Sequence, residues 1–213
     1  VRDYIIDLRY NGGGLVSTAE LIDNLLGGDR TSADTQYTIV HSPGKSGQNS
    51  TVRFQPQAQS VRPVRIAFLT TDATASASEI NINAMHAWAE VAIVGSDTYG
   101  KPVGQLAFDL GNACPDRLRL VTFKTVNANG VGDYYDGLAS SMTFACAAED
   151  TLGAPMGDPA DGLTLAALHW ITTGACASVI SSSVAGQAKT SPSGQYPRSR
   201  QPSVVERWFP GVQ

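Results

Sequence analysis

Two residues in this sequence occupy places where nucleophilic chemistry could be done. Ser76 stands where a buried strand gives way to a helix, and Lys101 follows the next strand. At a strand-to-helix turn the first N–H groups of the helix are unpaired, and they concentrate partial positive charge where an anion could sit. A serine there can attack a carbonyl while the N–H of the next residue, Ala77, stabilises the oxyanion. The same position also suits a plain helix cap, because Ser76 with Glu79 spells the Ser-x-x-Glu capping box. Taken singly, such a serine is more often a cap than a nucleophile.

A nucleophilic serine needs a base. The three histidines, His41, His86 and His169, are poorly placed: the first lies in a polar hairpin and the last in a late helix. His86 falls nearly three turns, or ~15 Å, along the helix that starts at Ser76. A lysine can act instead when burial lowers its pKa and leaves a neutral amine. Lys101, in the stretch Tyr99-Gly100-Lys101-Pro102, is the candidate, although any lysine considered alone reads more simply as a solvated loop residue.

Three ordered segments sharpen this reading: DLRYNGGG at 7–14, TASASE at 74–79 and GSDTYGKPVGQ at 95–105. Together they resemble the signature blocks of the carboxyl-terminal-processing, or tail-specific, serine peptidases. The stretches TVNANGVGDYYDGL at 125–138 and MGDPADGLTLAAL at 156–168 resemble secreted or envelope bacterial members. The resemblance implies Ser76 as nucleophile, Lys101 as general base and Gln105 as the residue that orients the lysine amine. It also implies an oxyanion hole from the N–H of Gly13 or Gly14 opposite that of Ala77, where a side chain would block a substrate carbonyl. Arg9, Glu79 and Thr98 match supporting positions, structural first and catalytic second. The implied fold is α/β, with crotonase/ClpP-like layered strand–helix units. The implied reaction is endopeptidase cleavage of unstructured protein tails through an acyl-enzyme, in an extracytoplasmic compartment (periplasmic, envelope-associated or secreted), with no cofactor and no metal. Family members usually carry a further N-terminal region, often with a PDZ module. This chain opens on Val1 and reaches a strand within a few residues, so it reads as a fragment or processed product.

The elements that must position these groups can be read from periodicity. DYIIDL (3–8) is a buried strand stopped by Asn11-Gly12-Gly13-Gly14, and Leu15 to Leu26 recur at helical spacing up to Gly27-Gly28. QYTIVHS and STVRFQP flank a Pro-Gly turn as an exposed hairpin. VRIAFL (64–69), the helix after Ser76, and VAIV (91–94) complete an alternation that makes an α/β layered fold. Beyond Lys101 the pattern turns β-rich, clearest over 118–126, with a final helix expected from Pro159 to Ile171 behind Asp158 as N-cap. The catalytic domain is expected to span 1–177. Residues 178–213, rich in Ser, Gly and Pro, read as a linker and tail in which Arg207-Trp208-Phe209 could dock back.

Bulk properties narrow the partners. The 213 residues suffice for one sizeable domain, with 42% hydrophobic and 16% charged residues. A net charge of -4 without a basic run argues against nucleic acid or an anionic membrane surface, and no apolar stretch approaches the ~18 residues that span a bilayer. A protein or peptide substrate is the expected partner. Cys114, Cys146 and Cys176 lack metal-ligand spacing, and both free thiols and one disulfide remain open. Two other readings share the pattern: a non-catalytic binding module on the same fold, and a hydrolase acting on thioesters.

Overall fold

The computed structural model describes residues 1–111, 116–151 and 153–181. Cys114 and the docking segment Arg207-Trp208-Phe209 lie outside them. The first strand is β1 (Asp3–Asp7), followed by helix α1 (Val16–Leu26). The strands expected near 64–69 and 91–94 are β4 (Arg65–Thr70) and β5 (Glu90–Gly95), joined by α2 (Ala77–His86). With the later β8 (Phe144–Ala147) they form a parallel sheet in the order β1-β4-β5-β8.

The side-chain alternation of these strands explains why both faces are covered. Ile66, Phe68, Val91 and Ile93 pack on one side with Ile82 and Met85 of α2. Ala67, Leu69, Ala92 and Val94 pack on the other with Leu163, Ala167 and Trp170 of the last helix, α3 (Gly162–Thr173). Near-continuous apolar strands of this kind are what a parallel sheet between helical layers requires. The two layers fix the C-terminal ends of β1, β4 and β5, where the candidate site lies.

A second sheet is antiparallel, in the order β3-β2-β7-β6. It contains β2 (Thr35–His41), β3 (Ser50–Arg53), β6 (Val103–Asp109) and β7 (Arg117–Asn127). The expected hairpin is β2 with β3, but it is not simply exposed. β2 also pairs with β7, and Tyr37 is buried with its hydroxyl donating to Glu20 at 2.6 Å.

The final helix starts later than its Asp-Pro signal suggests. Asp161, not Asp158, is the N-cap and accepts from Thr164 N–H at 3.0 Å. Asp158 instead closes the preceding turn, accepting from Ala160 N–H through its side chain. Residues 178–180 return along β8, with Ala147 N–H donating to Ser178 O and Ile180 N–H to Ala145 O. Cys146 on β8 and Cys176 after α3 form a disulfide.

Two predictions follow from this framework. The disulfide spans a sequence separation of 30, for which the chain-entropy relation gives about 3–4 kcal/mol. The double variant Cys146→Ala/Cys176→Ala should lose most of that in urea unfolding. An unchanged midpoint would show that the pairing adds nothing to the fold. The second concerns Asp23 of α1, which is fully buried against α2 and accepts from Asn81 Nδ2 at 2.9 Å. Burial pushes its carboxyl well above the usual range, and nearby Glu20 adds to this. The folded state then holds the proton more tightly than the unfolded one. This contribution is complete below the unfolded value of about 3.9 and is lost as pH rises through the folded value. Asp23→Asn should therefore gain in melting temperature relative to the parent as pH is raised from 5 to 8. A difference that does not change with pH would refute the assignment.

Candidate active site

Ser76 stands at the end of the loop that follows β4, on the first turn of α2. The capping box expected of Ser76 and Glu79 is present, yet the backbone is not that of an ordinary cap. N-cap residues normally lie in the β region, whereas Ser76 has φ 58° and ψ −117°. Among the described residues only Tyr10 shares a positive φ without being glycine. Such a conformation costs on the order of 1–3 kcal/mol and persists only where its surroundings enforce it.

Glu79 supplies much of that enforcement. Its carboxylate is fully buried and accepts four hydrogen bonds. Oε1 receives Thr98 Oγ1 at 2.6 Å and Gly100 N–H at 2.8 Å, and Oε2 receives the N–H groups of Ser76 and Lys101, each at 2.8 Å. One side chain thus ties the turn carrying Ser76 to the segment carrying Lys101. Thr98 is fixed in turn by Leu138 N–H, which donates to its hydroxyl at 3.0 Å. Gly100 has φ 84°, and a Cβ there would lie 2.4 Å from Tyr135 O, so the approach to Lys101 requires glycine. Lys101 is half-buried, and the carbonyl of Pro102 is held by Thr125 N–H at 2.8 Å.

The glycine loop after β1 lies against the other side of Ser76. Asn11 O accepts from Ala75 N–H and Ser78 Oγ, each at 3.0 Å, which binds the loop to the start of α2. A Cβ on Gly13 would fall 2.8 Å from both Ser76 Cβ and Ala77 N and 2.7 Å from Ala75 O. No other residue fits there. The N–H of Gly13 is already engaged by Asn11 Oδ1 at 3.0 Å. The N–H groups of Gly14 and Ala77 have no partner among the described residues, so these two donors stay free beside the serine.

Arg9 anchors this loop from below. Its guanidinium meets Asp7 and Asp150 at 2.8 Å and Asp161 at 3.1 Å, and Tyr10 hydroxyl donates to Asp150. Burial of Asp161 works against its charge, but the hydrogen bonds from Thr164 and the neighbouring Arg9 hold its carboxyl below the usual range. The glycine loop is thereby tied to the N-cap of α3. Asp150 and Asp161 escaped the sequence reading; the only sign of the latter was an Asp before a helical apolar run, which any helix shows.

Of the residues expected at the site, Gly13, Gly14, Ser76, Ala77, Glu79, Thr98 and Lys101 come together around one turn. Gln105 is exposed on β6 opposite Val121, where Thr122 of β7 is left unpaired, and its side chain has no hydrogen bond among the described residues. None of the three histidines hydrogen bonds to Ser76; His41 bonds to Thr122 O, and His86 closes α2. No group of three or more His, Cys, Asp or Glu among the described residues could hold a metal.

A layered α/β body that places a serine on a strained strand-to-helix turn, beside the free N–H groups of Gly14 and Ala77, is an arrangement that can stabilise a developing oxyanion. The model of Peptidase family S41 matches residues 1–134, and the chain belongs to that family. It is 30% identical over 131 residues to the carboxy-terminal processing protease CtpA of Bacillus subtilis, covering 61% of this chain and 26% of that protein. It is likewise 30% identical over 122 residues to the carboxyl-terminal-processing protease of Synechocystis sp., covering 57% and 26%. Among solved structures, one from Bacteroides fragilis described as an S41 protease superposes with a TM-score of 0.67 at 25% identity, over 82% of this chain and 45% of that one. The photosystem II D1 C-terminal processing protease, at a TM-score of 0.50 and 24% identity over 64% and 33%, shares the fold. The chain spans about a quarter of the length of the curated relatives it matches.

The four bonds at Glu79 generate a prediction. Glu79→Gln keeps the shape but turns an NH2 group toward two of the four donors, at about 1–3 kcal/mol for each donor left unsatisfied. Urea unfolding should show that loss. A stability equal to the parent would mean that the carboxylate does not join the two segments.

Proposed function

We propose that this chain is the catalytic unit of a serine endopeptidase that cleaves unstructured protein tails through an acyl-enzyme. Ser76 Oγ attacks the scissile carbonyl and its proton passes to the Lys101 amine. The oxyanion that forms is held by the N–H groups of Gly14 and Ala77, and Lys101 then protonates the departing amine. Water, deprotonated by the same amine, releases the acyl group and restores Ser76. Gly13, with its own N–H occupied, acts by allowing close approach, and Gly14 carries the donor role that the motif left open between the two. Gln105, four residues beyond Lys101 on β6, orients the lysine amine. The observation that carries the reading is the single buried carboxylate of Glu79, bonded to the backbone of both Ser76 and Lys101 at 2.8 Å. A mere helix cap has no need of the second bond. The Cys146–Cys176 disulfide supports an extracytoplasmic location, since such bonds persist in oxidising compartments.

The test is a set of alanine variants assayed on one unfolded protein, together with labelling by a fluorophosphonate probe. Ser76→Ala and Lys101→Ala should each abolish turnover, and the double variant should be no worse than either alone. Labelling should disappear with Ser76→Ala and fall sharply with Lys101→Ala. Gln105→Ala, which removes one neutral hydrogen bond worth about 0.5–1.5 kcal/mol, should slow turnover by roughly one order of magnitude. Full activity in Lys101→Ala would sink the assignment, and full activity in Gln105→Ala would return that residue to the surface of β6.

A further inference from the structure

The second sheet ends in an edge that the rest of the described chain leaves open. β6 is the outermost strand, and apart from its bonds to β7 its backbone N–H and C=O groups have no partner among the described residues. Residues directly opposed in an antiparallel pair share a face. Leu106 opposes Leu120 and Phe108 opposes Leu118, so these four form one apolar face while remaining 42–45% exposed. The reverse face is mixed: Gln105 opposes Val121, Ala107 opposes Arg119, and Asp109 pairs with Arg117 at 2.7 Å. Proteins usually blunt an exposed edge with Lys, Pro or a covering loop, because it is a template for another chain. The sequence of β6, VGQLAFD, contains neither Lys nor Pro. The one irregularity of the pair lies on β7, where Thr122 has no partner between Gly104 and Gln105, and it leaves β6 regular from Gln105 onward.

We propose that the β6 edge docks the substrate polypeptide as an added strand and selects chains with large apolar side chains at alternate positions; this rests on the peptidase reading above. Continuity with the site decides between a substrate and another occupant. β6 begins two residues after Lys101, so a chain laid along Val103–Asp109 runs for about 23 Å and arrives at the lysine end of the site. Main-chain bonds to the edge would hold any extended sequence, and the apolar face would favour those presenting Leu, Val or Phe at every second residue, the mode of β-strand addition. A folded substrate cannot offer such a strand, which confines cleavage to unstructured tails.

The experiment measures fluorescence anisotropy with the full chain carrying Ser76→Ala. The probes are labelled peptides of about twelve residues, long enough to cover β6 and reach the site, with Lys at both ends. One alternates Leu with Thr, one alternates Ser with Thr, and one repeats the first with N-methyl groups on every second amide. The Leu peptide should bind at least tenfold more tightly than the Ser peptide, and N-methylation on the edge-facing amides should cost about tenfold. Leu106→Thr/Phe108→Thr should lose a similar factor. The N-methyl arm needs no variant and decides the matter if that one fails to fold. Equal binding of all three peptides overturns the docking strand. A dimer in sedimentation that dissolves with Leu106→Thr/Phe108→Thr would assign the edge to a second copy and also overturn it. Fluorophosphonate labelling of the parent chain is scored separately: labelling with equal peptide binding removes the docking strand alone, and absent labelling removes the peptidase reading and with it this occupant.

Discussion

The carboxylate of Glu79 is the point on which the arrangement of this molecule turns. An unpaired carboxylate at full burial would cost many kcal/mol, so the fold must bring donors to it. It does so with three backbone N–H groups and one hydroxyl: Ser76, Gly100, Lys101 and Thr98. Ser76 is distant in sequence from the other three, and their convergence draws the turn after β4 and the segment after β5 into one place. The parallel sheet makes this possible, since adjacent parallel strands end on the same side and their following loops must be neighbours.

Backbone strain at Ser76 has the same origin. A positive φ on a serine is tolerated when neighbouring groups over-determine the turn. Here Glu79 holds the Ser76 N–H, Asn11 O holds Ala75 and Ser78, and Gly13 fills the remaining space so closely that even a methyl group would collide. The last two glycines of the run have separate accounts. Gly13 serves close approach, whereas Gly14 has open space around its Cα and a free N–H. The two glycines are not interchangeable, although the motif alone could not separate them.

Much of this was legible in the sequence, for reasons that differ by element. β4 and β5 announced themselves because strands buried on both faces are apolar along most of their length, the half-buried β1 through Tyr4-Ile5-Ile6, and α1 through its 3.6-residue period. The segments around Gly13, Ser76 and Lys101 stood out only together, as three ordered blocks resembling one family, because a glycine turn, a capping serine or a loop lysine alone has a simpler reading. The start of α3 was misplaced because Asp158-Pro159 and Asp161 are both acceptable helix openings; Asp161 wins because its carboxylate is also needed by Arg9. Such a long-range contact leaves no local trace. The register at Gln105 had the same kind of cause: Thr122 of β7 is left over between Gly104 and Gln105, and the Phe123 ring lies over Gly104.

The two sheets divide the work. The parallel sheet, covered on both faces, gives the serine turn and the glycine loop a rigid base, reinforced by the fork of Arg9 onto Asp150 and Asp161 at the start of α3. The antiparallel sheet is covered only in part, and its outer ribbon leaves both backbone and apolar side chains open to solvent. Lys101 sits at the junction: its N–H is bonded to Glu79 on the rigid side, and its chain runs on through Pro102 into the open strand. In the proposed reaction, a lysine anchored at its backbone but followed by an unfilled edge suits chemistry that begins only when an extended chain arrives. On that proposal the rigid half keeps the strained serine and the free N–H groups of Gly14 and Ala77 ready in advance, while the edge strand supplies the dependence on substrate. Rigidity at Ser76 and openness beside Lys101 are complementary consequences of one connection, the short link from β5 to β6.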